Sequence, residues 1–145
     1  MSVDRIETRR GAHPLHGILL GFPVALFTSA VVSDIAYLRS SEIQWTNFSA
    51  WLISGGLVFG GAVLAWALVA LILHLRSPSR TSRLIYLAVV AAMWVVGLVN
   101  AFKHSQDGWS SVGAFGLTLS IITAVLALIA AFIAFTGFAH REVVR

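Results

Sequence analysis

Four long apolar runs separated by short polar connectors set the pattern of this chain. They cover about residues 15–38, 48–74, 84–102 and 112–138. At 1.5 Å per residue each is long enough to cross a hydrocarbon layer of about 30 Å as a helix. A helix also satisfies its own backbone inside lipid, where no water is available to do so. The connectors are too short to carry a chain back across the membrane, so consecutive helices must run antiparallel. The predicted fold is all-α: a single transmembrane domain over residues 1–145, an integral membrane antiparallel up-down four-helix bundle.

Local residues refine the elements. Pro14 suits the first turn of a helix, where its missing N–H is not needed. Pro23 lies inside the first run and predicts a kink, with neighbouring helices or a hydroxyl such as Thr28 satisfying the freed backbone. Gly56 and Gly60 form a small-xxx-small spacing that permits close helix approach. In the fourth run Gly116, Ser120, Ala124, Ala127, Ala131 and Ala134 recur at helical spacing and mark a packing face.

Composition agrees with lipid as the solvent. Hydrophobic residues make up 58% of the 145 and charged residues only 11%, too few to cover a water-soluble globule. The net charge of +4 does not point to nucleic acid, because the basic residues sit in connectors rather than on a patch interleaved with aromatics. Arg5, Arg9, Arg10, Arg76, Arg80, Arg83, Arg141 and Arg145 fall on one side, whereas only Arg39 and Lys103 fall on the other. Positive residues stay in the cytoplasm, so both termini are expected there. The first run reads as a span that serves as its own insertion signal. With no cysteine, disulfides, thiolate metal sites and cysteine nucleophiles are excluded.

Topology gives each polar group a depth. His13, His16, His74 and His140 gather at the cytoplasmic ends of spans one, two and four. At the other end Asp34 shares a level with Asn100, Lys103 and His104. His16 and Asp34 are 18 positions apart, close to five helical turns, and so share one face about 27 Å apart. That face is expected to look into the bundle, since a charge facing lipid costs roughly 3 kcal/mol or more. Asp34 with His104 and Asn100 reads either as a proton or ligand site or as a packing contact between helices. The inner histidines admit three readings: axial ligands of a haem iron, a divalent-ion site, or ordinary interfacial side chains. No nucleotide loop, catalytic triad, zinc signature or carboxylate pair is present, and whether the chain is an enzyme is left open.

The stretch His13-Pro14-Leu15-His16, followed by Gly21-Phe22-Pro23-Val24-Ala25-Leu26-Phe27 and Asp34, resembles the bacterial DUF2231 membrane-protein family. Asn100-Ala101-Phe102-Lys103-His104-Ser105-Gln106-Asp107-Gly108-Trp109 and Gly116-Leu117-Thr118-Leu119-Ser120 resemble that family's later motifs, and His140-Arg141 its C-terminal histidine. The chain departs from the pattern at Gly17, where proline is common, and at Leu73-His74, where an aspartate is common. The resemblance covers the chain from Ala12 onward and singles out His13, His16, Asp34, His104 and His140; His74 is added from its depth alone. The family is also similar to four-helix membrane cytochromes of the b type. This implies a haem b-binding subunit of the bacterial inner membrane, carrying electrons between the quinone pool and a partner. The partners expected are the lipid bilayer and redox subunits or further copies of the chain. The alternative is a non-catalytic anchor or accessory subunit of a larger membrane complex.

Overall fold

A computed structural model describes residues 13–106 and 112–136. The described residues form four helices: α1 (Pro14–Ser40), α2 (Ile43–Leu73), α3 (Arg80–His104) and α4 (Ala114–Thr136). Each is long and apolar enough to cross a membrane. They pack in a ring, α1 on α2, α2 on α3, α3 on α4 and α4 back on α1, which is the up-down bundle expected. The near end of the bundle is where α1 begins, and the far end is where α1 turns into α2.

The helix bounds exceed the apolar runs. The chain between spans one and two was expected to loop over residues 39–47, yet only Ser41 and Glu42 lie outside helix. Hydropathy locates the lipid-facing stretch, whereas a helix continues past it wherever its polar turns find water. Ser41 closes α1 with φ 57°, in the left-handed region, and its N–H donates to the Tyr37 carbonyl at 2.8 Å. At the other end of α1, His13 caps the helix by accepting the Leu15 N–H on Nδ1 at 3.3 Å. Helix α1 runs unbroken through Pro23. The Thr28 hydroxyl donates to the Val24 carbonyl at 2.7 Å and not to the Leu19 carbonyl, the one that Pro23 deprives of its intrahelical partner. Thr28 therefore does not play the compensating role expected of it.

Most buried positions share one rule: 16, 20, 23, 27, 30 and 34 on α1; 86, 90, 93, 97, 100 and 104 on α3; 116, 120, 123, 127, 130 and 134 on α4; and 46, 49, 53, 56, 60, 63 and 67 on α2, with Leu71 one step further on and Ser33, Leu119 and Ala124 buried beside these lines. Steps of three and four alternate, the spacing at which helices pack along a left-handed coiled-coil seam. On α4 this brings Thr123 and Ala130 into the seam, while Ala131, expected there, is only half-buried.

The middle of the bundle is filled by one ring. Phe27 is 1% exposed, and a Cβ added to Gly56 on α2 would lie 2.5 Å from its Cε1. A Cβ on Gly97 of α3 would meet Phe27 Cζ at 3.4 Å and the Thr123 methyl of α4 at 3.4 Å. Two glycines thus let the neighbouring backbones close on a phenyl group. One layer nearer the start of α1, a Cβ on Gly60 would meet the Met93 methyl at 3.3 Å and the Pro23 ring at 4.0 Å. The Gly56–Gly60 pair therefore receives side chains from two different helices, α1 and α3.

Candidate functional site

The seam positions carry the polar groups of the interior, and they collect in two places. At the far end Asp34 is fully buried. Its Oδ1 lies 3.0 Å from His104 Nε2, and its Oδ2 accepts the Ser120 hydroxyl at 2.6 Å. Asn100 Nδ2 donates to Ser120 Oγ at 2.9 Å, and His104 Nδ1 is 3.0 Å from the backbone carbonyl of Asn100, one turn earlier. One carboxylate thereby joins α1, α3 and α4. Asn100 Oδ1 is buried there with no hydrogen-bond partner. The fourth wall is tied separately: Ser33 Oγ donates to the Trp45 carbonyl at 2.8 Å and Ser49 Oγ to the Ala30 carbonyl at 3.4 Å. A crevice of about 310 Å³ between the start of α2 and the end of α3 reaches His104, with Gln44, Thr46, Asn47 and Gln106 among its lining residues.

At the near end His16 is buried, and its Nε2 is 2.8 Å from the Tyr86 hydroxyl of α3. The Trp66 ring of α2 lies against it, with centroids 5.6 Å apart. Its Nδ1 is buried with no hydrogen-bond partner. Of the other inner histidines, His13 is brought beside this place: it is exposed, with its ring 5.5 Å from the same indole. His74 is exposed past the end of α2, its Nδ1 2.9 Å from the Ala70 carbonyl. His140 lies outside the described residues. Depth along the membrane normal had grouped His74 with His16, but His74 caps α2 one seam step past buried Leu71, where the helix has ended and the side chain stands exposed.

Between the two polar places the seam is apolar but for Thr123, whose hydroxyl donates back to the Leu119 carbonyl: Leu20, Phe27, Ala30, Val63, Val90 and Met93 are buried there. Sequence reasoning placed Asp34, His104 and Asn100 at one level, and the structure brings them into one hydrogen-bonded group. It did not identify Ser120 as a partner of Asp34, nor Tyr86 and Trp66 as neighbours of His16. The three-and-four spacing of small and polar residues was the available signal.

Haem held by two histidines requires imidazoles facing each other across the iron, with room for the macrocycle between them. Among the described residues the geometry does not fit this. His16 has Nε2 on Tyr86 and an indole against its ring, His13 projects from the same helix, and His74 is outside the bundle. On His16 only Nδ1 is left to coordinate. No group of three or more histidine and acidic side chains gathers as a metal site among the described residues.

Four apolar helices closed around a lining of small, hydroxyl and a few ionisable residues define a small four-span membrane protein. The chain belongs to the DUF2231 family, described as a predicted membrane protein, whose model matches residues 12–136. No curated protein and no solved structure matches the chain.

Proposed function

We propose that this chain is a non-catalytic accessory subunit: a rigid four-helix element of the bacterial inner membrane that supports a larger membrane complex. The observation that carries this reading is the use made of the buried polar side chains, most of which join one helix to another. Asp34 joins three helices, His16 joins α1 to α3, and Trp94 joins α3 to α2 through the Leu57 carbonyl at 3.1 Å. Such bonds hold a bundle in one arrangement and give it a fixed outer surface for partner helices. The arginine-rich near end, with both termini, is assigned to the cytoplasm.

Extraction from native membranes in a mild detergent tests the proposal. The chain is expected to migrate in a complex well above its own 15.6 kDa, and a species of that mass alone would refute it. A reporter that fluoresces only in the cytoplasm, fused after Arg145, is expected to be bright.

The haem b alternative, with electrons passing between quinones and a partner, draws its support from the free Nδ1 of His16. Were haem bound, it would supply one-electron chemistry, while His16 and His140 would hold it. A visible spectrum of protein expressed with ample haem decides this: a Soret band lost in His16→Ala supports the alternative, and a colourless protein rejects it.

A further inference from the structure

The hydrogen bonds around Asp34 fix how many protons the far-end site holds. The Asn100 backbone carbonyl can only accept, so His104 Nδ1, 3.0 Å away, carries a hydrogen. Ser120 accepts from Asn100 Nδ2 and donates to Asp34 Oδ2, so no hydrogen is needed on that carboxyl oxygen. The remaining line, Asp34 Oδ1 to His104 Nε2 at 3.0 Å, must then contain one hydrogen. On nitrogen it makes an imidazolium beside a carboxylate; on oxygen, a neutral imidazole beside a carboxylic acid. Either way the pair is neutral overall, with one proton more than a carboxylate beside a neutral imidazole. Without that proton, two lone pairs would face each other at 3.0 Å, and a net negative charge would be buried without compensation.

The crevice beside this pair has His104 in its lining, together with Gln44, Asn47 and Gln106. The imidazole and carboxylate themselves are closed off from solvent, so exchange through the crevice needs a small opening at His104. We propose that Asp34 and His104 form a single-proton binding site, loaded through this crevice from the compartment that the far end faces. Unloading passes the proton to solvent in the crevice, releases His104 from Asp34, and loosens the contact that joins α3 to α1 and α4.

The surroundings leave the proton to this pair. From α4 the facing group is Ser120, and from α2 they are Thr46 and Ser49, none of which titrates in the ordinary range. On α3 the neighbouring charge is Lys103, whose Nζ donates to Gln106 Oε1 at 2.8 Å. Arg39 and Glu42 stand exposed at the rim.

Magnetic-resonance spectra of the full chain in lipid bilayers, with ¹⁵N-histidine and ¹³C-aspartate, test the proposal. His104 is identified by the proximity of its ring nitrogen to the Asp34 carboxyl carbon. At neutral pH the expected result is a protonated Nδ1 and one further hydrogen shared by the pair, either on Nε2 or on the carboxyl. Raising the pH should remove that hydrogen in one step and shift both residues together. In Asp34→Asn the side-chain N–H can donate to a bare Nε2, so the contact is kept without the proton and the step should vanish. Asn47→Trp, which fills the crevice without touching the hydrogen-bonded group, should slow solvent exchange of the shared hydrogen while leaving its resonance in place. A bare Nε2 facing an ionised carboxylate in the wild-type chain at neutral pH would overturn the proton count, whatever the variants do. Exchange unaffected by Asn47→Trp would overturn the route.

Discussion

Replacing Gly56 by alanine puts a methyl group where the ring of Phe27 already lies. The added Cβ would sit 2.5, 2.8 and 2.9 Å from three ring carbons, against an ordinary carbon–carbon contact of about 3.5–4.0 Å. Relief therefore needs a movement of about 1 Å. The ring has little room to give, because Gly97 of α3 and Thr123 of α4 close in on its other side. What remains is separation of α1 from α2, at a residue that is 1% exposed. Overpacking of this kind costs about 1–3 kcal/mol, and the tight confinement places Gly56→Ala in the upper half of that range. Equilibrium unfolding in mixed micelles of mild detergent and dodecyl sulfate measures it. Phe27→Leu supplies the control: alone it should cost about 1 kcal/mol as a change of shape, yet it removes the ring atoms that the new methyl would strike. The double variant should then be at least about 1 kcal/mol more stable than the sum of the single effects predicts. A Gly56→Ala protein within about 0.5 kcal/mol of wild type, the usual range of an inconsequential surface change, would refute the reasoning. So would strict additivity with Phe27→Leu.

Three further outcomes follow from the same packing. Ser120→Ala removes the donor to Asp34 Oδ2 and the acceptor of Asn100 Nδ2 together; a loss of about 2 kcal/mol is expected in the same unfolding assay. Tyr86→Phe takes the hydroxyl from His16 Nε2 and should cost about 1 kcal/mol, near the value typical of side-chain hydrogen bonds between membrane helices; the Trp66 fluorescence environment should change with it. Ser41→Gly should stabilise the chain by about 0.5–1 kcal/mol, since φ 57° is a conformation that glycine adopts without a side-chain penalty; a loss of stability would show that the left-handed turn is not what limits that corner.

The sequence discloses the helices readily, because charged residues are nearly confined to the places where the chain leaves lipid. It discloses the meeting of Asp34 with His104 for a related reason: a buried carboxylate has few partners at its own depth. The rotation of each helix is much harder to read. In a soluble bundle the apolar stripe reveals the inward face, but here Val58 and Leu128 face outward while Ile53 and Val63 are buried. Hydrophobicity does not distinguish lipid from core. The inward face is marked instead by small and hydroxyl-bearing residues, as in the run Gly116, Ser120, Thr123, Ala127, Ala130 and Ala134. Tyr86 went unnoticed as a partner of His16 because it depends on that rotation, whereas His74 is exposed because α2 ends before it.

The brevity of the corner at Ser41 and Glu42 has a consequence for biogenesis. With only two residues between α1 and α2, there is no slack for one segment to enter the bilayer and wait for the other. If both termini stay in the cytoplasm, the two thread as a hairpin that carries Arg39 and Glu42 through the hydrocarbon at its leading tip. The transient penalty of that passage, a few kcal/mol for an arginine at mid-bilayer, is offset by two apolar segments arriving at once. Phe27 would then already be seated against Gly56 before the second half of the chain has left the ribosome.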